Sequence, residues 1–289
     1  MKKYILSIAL LAGSLSSFAQ DAKESTTLLN KINQPCIMAD YAMSGEVIEG
    51  ALIKKMTESK ISKSSKATDG FKLYKGVTIP EITKETIDLY YRVDDKKTSA
   101  TVYFLVSKGY DNFMKKETDS LTIENTKMYL NKFVKDATAF SLNKQMVEQA
   151  DVIKDLEKKM KGQAKDEAGY TKDKSKVESK IASNKIDIEA MKMEMEAQQK
   201  ALEIVNKKTA TIEGMDALKK EVSKQQSATD KATKKYNNAL EDAGSYKEDL
   251  KKAEDKIANS ALDQTKTKSE IDEANKKLEE LKSQLANLK

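Results

Sequence analysis

Residues 86–113, TIDLYYRVDDKKTSATVYFLVSKGYDNF, concentrate aromatic and β-branched side chains in a chain otherwise rich in lysine, glutamate and alanine, and they hold the one arginine, Arg92. Such residues favour strands, and DDKKTS at the middle supplies a turn. Pairing Val93 with Ala100 across that turn also sets Tyr91 against Val102, Leu89 against Phe104 and Ile87 against Val106. Side chains alternate along a strand, so all eight fall on one face. A hairpin that gathers its strong hydrophobes on one side is building a core.

The other face of this hairpin carries Asp88, Tyr90 and Arg92 opposite Tyr103 and Leu105. With Tyr90 across from Tyr103 and Arg92 diagonal to the pair, stacking and cation–π contact are within reach. These five residues are the candidate partner-binding face. A half-exposed or helix-covered sheet face is the competing explanation, because amphipathic tyrosines are common on such faces. Arg92→Ala is then expected to be nearly silent for stability. KGYDNF, residues 108–113, reads as a turn; Asp111 and Asn112 offer oxygens but lack further ligands at the spacing of a calcium loop.

Outward from the hairpin, SGEVIEGALIKKMTESKI (44–61) places Val47, Ile48, Ala51, Leu52 and Met56 on one helical side, with polar residues 62–70 after it. FKLYKGVTI (71–79) alternates as a strand that Pro80 closes. LTIENTKMYLNKFVKDATAF (121–140) offers Leu130, Phe133, Ala137 and Phe140 as a helix to cover the core. Residues 20–140 therefore read as a small α+β domain built on an antiparallel hairpin or meander with helices.

Beyond Phe140 the composition changes. All 6 phenylalanines and both prolines, Pro35 and Pro80, lie at or before it, and the later aromatics are Tyr170, Tyr236 and Tyr246. Alternating steps of four and three from Leu142 visit Met146, Ile153, Leu156, Met160, Val177, Ile181, Ile188, Met191, Met195, Leu202, Val205 and Ile212. A second frame from Met215 runs through Leu218, Val222, Tyr236, Leu250, Ile257, Ile271, Leu278 and Leu281 to Leu288. Sustained spacing of this kind marks a coiled coil over 141–289. The frames slip at NKKTATIEG (206–214), where Gly214 suits a helix end. Two arms of near-equal length, 142–212 and 215–288, favour an antiparallel hairpin over a single rod with a local register change. KGQAKDEAG (161–169), polar at seam residues Gln163 and Glu167, is a place for a kink or loop. Polar Gln149, Lys174, Asn184, Gln198, Gln225 and Gln264 and many alanines in the seam predict moderate stability.

The first residues, MKKYILSIALLAGSLSSFAQ, set Lys2 and Lys3 before a short apolar run and end on small residues, as a signal peptide (1–19) cut after Ala19 does. LLAGS places Ser14 where a lipoprotein would need cysteine, so no lipid anchor is expected, and no later run is apolar enough for a membrane span. A periplasmic or secreted protein is expected. The formal charge of +6 includes Lys2 and Lys3, so the mature chain carries +4. Charges of both signs alternate, and lysine supplies every base but Arg92, which disfavours nucleic acid as a partner. The chain has no histidine or tryptophan and one cysteine, Cys36. The usual ligands of zinc and iron–sulfur sites and the bases of histidine triads are missing, so no cofactor and no catalytic group is assigned. Cys36 reads as a buried thiol rather than a disulfide link.

The SFAQ cleavage region, GFKLYKGVTIPEI (70–82), VYFLVSKGYDNF (102–113) and the switch into a charged coil resemble a group of exported Bacteroidota coiled-coil proteins, sometimes labelled DNA repair ATPases. That resemblance implies no activity and transfers no site residues. The label conflicts with the absence of a Gly-x-x-x-x-Gly-Lys-Ser/Thr loop to cradle phosphates. A looser similarity is to Skp-like periplasmic chaperones, whose arms are flanked by body strands on both sides. The expected role is a non-enzymatic structural or partner-binding element of the cell envelope, acting through a protein partner or self-association of the coil. The alternative is a Skp-like holdase.

Overall fold

The structure, a computed structural model, describes residues 21–61, 63–110, 112–208 and 214–288. The expected signal peptide, Asp111 and most of the expected turn at 206–214 lie outside them. Two compact units are present. One takes in the described residues up to Ala150 together with those from Lys277 onward, and Asp151–Lys276 forms the other.

The first unit is built on a six-stranded sheet: β1 (Lys23–Leu29), β2 (Ile32–Tyr41), β3 (Ser65–Lys66), β4 (Lys72–Ile79), β5 (Thr83–Asp95) and β6 (Ala100–Ser107). Their spatial order is β1-β2-β6-β5-β4-β3, and every pair is antiparallel. The β5–β6 hairpin forms where the aromatic pattern predicts, but its register is two residues tighter. Asp95 faces Ala100, Val93 faces Val102, Tyr91 faces Phe104 and Leu89 faces Val106. The cause lies in the two aspartates, read from sequence as turn formers. Asp95 Oδ1 accepts the Gly45 N–H (2.9 Å) and Asp94 holds Arg92, which lengthens β5 and leaves only 96–99 to turn. A slip of two residues keeps every side chain on its own face, so the core set is unchanged.

β1 and β2 carry no strong sequence signal, yet β2 lies beside β6 in the middle of the sheet. Their two-residue turn uses Asn30 and Lys31, both with positive φ (53° and 61°), the conformation a tight hairpin needs. Pro35 is tolerated in β2 because pairing with β6 begins only at Ile37, so Pro35 has one neighbour strand. Ile37, Ala39 and Tyr41 then join Leu89, Tyr91, Val102, Phe104 and Val106 on the core face.

Two helices cover that face. α1 (Gly45–Glu58) contributes Ile48, Ala51, Leu52 and Met56, and the start of α2 (Lys116–Asn206) contributes Ile123, Tyr129, Leu130, Phe133 and Ala137. Tyr41 donates its hydroxyl proton to the Leu130 carbonyl (2.7 Å) and meets Phe133 edge-on at 5.7 Å. Burial pushes the Tyr41 and Tyr129 hydroxyls well above the usual tyrosine range. Gly50 lets α1 approach α2, since a Cβ there would stand 2.6 Å from Phe140 Cζ.

In the second unit the rest of α2 pairs with α3 (Met215–Asn287) in antiparallel fashion. Lys159 reaches Glu270 (3.4 Å), Lys174 reaches Glu254 (2.9 Å), Gln198 takes the Gln225 amide (2.7 Å) and Lys208 reaches Glu221 (2.5 Å). Partner numbers fall on one helix as they rise on the other. Between Asp151 and Asn206 every position of the heptad frame from Ile153 to Val205 is shielded from solvent, and Ala201 is the one further residue that is. Residues 161–169 form neither kink nor loop: Gly162 and Gly169 sit in unbroken helix, and the one non-helical residue of α2 is Asp119 in its first turn (φ −131°, ψ 34°). The seam tyrosines are roofed reciprocally, Tyr170 by Lys256 (5.5 Å) and Tyr246 by Lys180 (5.6 Å).

Candidate functional site

Strand alternation brings Leu29, Cys36, Tyr90, Arg92, Tyr103 and Leu105 to the sheet face away from the helices. No helix covers it. Phe71, just before β4, and Phe113, bridged to Ser107 after β6, fold over it and complete a small second core with Leu29, Cys36 and Leu105. Leu105 is fully buried and Tyr90 and Tyr103 partly so. Burial pushes the Cys36 thiol up to about 11, which suits a packed, unreactive side chain.

Arg92 is the organising residue here. It stands directly opposite Tyr103 rather than diagonal to it, and Tyr90 stands opposite Leu105. The guanidinium carbon lies 4.8 Å from the Phe71 ring centre and 4.7 Å from that of Tyr103, so the cation is held between two aromatic faces. Asp94 accepts a hydrogen bond from Nη2 (3.1 Å) and stands 2.8 Å from Nε as an ion pair, while Nε itself is buried without a hydrogen-bond partner. Arg92→Ala is therefore expected to lower the stability of this unit by about 1–2 kcal/mol, and Arg92→Lys to lose about half of that. Urea titration checks this, and equal stability in all three proteins would show that Phe71 packs without the cation.

Asp88 stands apart from this group. Its Oδ1 accepts the Gly76 N–H (2.7 Å), where β4 shifts register against β5 and Gly76 adopts φ 63°. The carboxylate thus fixes a bulge. An open hollow of ≈ 460 Å³ adjoins it, lined by Leu73, Lys75, Thr86, Asp88, Tyr90 and Tyr110. On its rim Lys108 pairs with Asp119 (2.6 Å), which raises the lysine pKa and lowers that of the carboxyl. Among the described residues no group of three His, Cys, Asp or Glu is placed to hold a metal ion.

A different surface escaped the sequence reading. On the outer side of α2, away from the seam, Ile186, Met193 and Ile204 are 71%, 68% and 64% exposed. Spacings of seven and eleven residues return to one side of a helix within about 20°, so the three line up, with exposed Ala182, Ala190 and Ala197 between them. The corresponding back of α3 is polar, with exposed Ser227, Asp230, Lys234 and Glu241. The signal was available as large apolar residues that fit no seam position.

No helix among the described residues is long and apolar enough to cross a membrane. Comparison with protein-family models, curated proteins and solved structures finds no match for this chain.

Proposed function

We propose that the protein is a non-enzymatic structural or partner-binding element of the cell envelope, and that its helical hairpin is a coiled-coil arm presenting the interaction surface. Export follows from the signal-like first nineteen residues. The observation that carries the role is the contrast within α2. Its seam is satisfied by α3 of the same chain, while Ile186, Met193 and Ile204 remain exposed on the opposite side. Three large apolar side chains aligned on an otherwise charged helix are a contact surface rather than random surface variation. Of the five residues on the Arg92 face, Leu105 belongs to the second core of the sheet and Tyr90 and Tyr103 pack against it, Arg92 stacks on Phe71 and Tyr103, and Asp88 fixes the bulge at Gly76.

A photo-crosslinking residue at 193, compared with one at 234 on the back of α3, tests this in intact cells with the full chain. Protein adducts are expected from 193 and not from 234. Equal yields, or none from 193, would remove the arm as the contact surface. A holdase acting through the same residues is the second reading, favoured by their dispersed, unpaired exposure; suppression of aggregation of an unfolded outer-membrane protein separates the two.

A further inference from the structure

One stretch of the α2–α3 seam closes without apolar side chains. Between Met160 and Tyr170 the shielded residues of α2 are Gln163 and Glu167, and between Ile257 and Ile271 those of α3 are Ser260, Gln264, Thr267 and Glu270. The two runs face each other: Lys159 meets Glu270 at 3.4 Å, Glu167 takes the Gln264 amide, and the Ser260 hydroxyl donates to the Gln163 backbone carbonyl (3.2 Å). For about 21 Å along α3 the helices are therefore held by polar contacts alone.

Those contacts do not satisfy the groups they bury. Gln163 Oε1 and Thr267 Oγ1 are buried without a hydrogen-bond partner, the two such side-chain atoms of α2 and α3 among the described residues. A buried polar atom left unpaired favours an open state in which water reaches it. Nearer the turn, polar seam residues are matched instead: Gln225 donates its amide to the Gln198 side chain (2.7 Å) and Thr229 its hydroxyl to the Gln198 backbone carbonyl (3.2 Å), with buried Ala232 and Val205 close by in the seam. The backbone is weak at the same place. Gly162 and Gly169 flank Gln163 and Glu167 inside α2, where a Cβ would meet nothing within 4 Å, so no close approach requires glycine, and glycine is a poor helix former.

We infer that this stretch is a joint in the helical hairpin: α2 and α3 part here reversibly while they stay paired on both sides, and the hairpin bends at the parted segment. Coiled-coil pairing is built layer by layer, so consecutive layers that bury little apolar area open at lower free energy than their neighbours. In the closed state both helices run unbroken through the joint. Its working does not depend on which surface of the hairpin a partner uses.

The test is hydrogen exchange read by mass spectrometry on the whole mature chain. Amides in 161–169 and 260–268 should exchange at least tenfold faster than those in 177–188 and 239–250, which lie between the joint and the turn. Fast exchange with slower exchange on both sides separates a joint from fraying that starts at the turn. Gln163→Leu with Thr267→Val, which removes the unpaired atoms, and Gly162→Ala with Gly169→Ala, which touches no seam contact, should each slow those amides at least threefold, with helical circular dichroism unchanged. Nitroxides at Lys154→Cys and Lys185→Cys, exposed on α2 on either side, should give a broad spread of distances that narrows in both variants; Cys36 is buried and escapes the label. Rates that rise steadily toward the turn with no maximum at the joint, fast exchange that survives both variants, or a distance spread already narrow in the unaltered seam would each overturn the joint. Should the leucine–valine variant misfold, the glycine variant decides alone.

Discussion

Replacing Phe104 by alanine should lower the stability of the sheet-containing unit by about 3–5 kcal/mol, the range for deleting a large side chain from a closed core. Phe104 is fully buried on β6, between Ile37 of β2 and Tyr91 of β5, with the Tyr129 ring of α2 at 6.0 Å. Its neighbours on both sides belong to hydrogen-bonded strands, and the covering helix is tied down by the bond from Tyr41 to Leu130. Such walls cannot collapse into the space left, so the cavity cost adds to the lost burial. The chain has no tryptophan, so near-ultraviolet circular dichroism of the tyrosines is the probe for this unit during urea titration. A loss below about 1 kcal/mol would mean that the core does not depend on the β5–β6 hairpin.

That hairpin was legible because strong hydrophobes alternate with polar residues over many positions, and period-two alternation survives an error of two in register. The turn was not, since two adjacent aspartates read as turn formers until their side-chain partners, Gly45 and Arg92, are known. β1 and β2 were hidden for a different reason. KESTTLL and INQPCIMADY mix strand formers with proline, asparagine and glutamine; β2 is placed by pairing with β6, far along the chain, and β1 by pairing with β2. Only tertiary context makes a strand of them.

The heptad frame was readable position by position because the seam repeats identical geometry along each helix, so weak positions borrow certainty from their neighbours. The polar seam residues at 163 and 167 suggested an interruption, but the helix runs on through both: Glu167 takes the amide of Gln264, and the Gln163 backbone carbonyl accepts the Ser260 hydroxyl (3.2 Å) while its side-chain oxygen stays buried without a hydrogen-bond partner. The face around Arg92 was located, with a partner surface and a covered sheet face both left open for it. Sequence shows that aromatic residues and a cation share a face, yet not that Phe71 and Phe113 arrive from outside the hairpin to enclose them. The outer stripe went unread because a search for one seam discards residues that fall off it.

Placing a carboxylate in the seam by Ala232→Asp should cost about 3–5 kcal/mol and unzip the part of the hairpin toward its turn, because a buried charge without a partner is among the most destabilising changes available. Ala232 is 2% exposed. It lies one turn from Thr229, whose hydroxyl reaches the Gln198 carbonyl of α2 at 3.2 Å, so the helices approach closely here with no room for a hydrated group. Helical circular dichroism should fall and trypsin should gain access to nearby lysines, while the near-ultraviolet tyrosine signal loses only the share of the hairpin tyrosines, Tyr236 first, which lies one turn from Ala232. Ser227→Asp, on the polar back of α3, should do neither. The same measurements separate the two ways in which a seam of this kind can close. Since α2 and α3 bury it within one chain, the mass by light scattering should be that of a monomer. The melting temperature should then not depend on protein concentration, whereas a seam shared between two chains is stabilised by mass action and melts higher as concentration rises. A dimer with concentration-dependent melting, abolished by Ala232→Asp, would show that α2 and α3 pair between chains in solution.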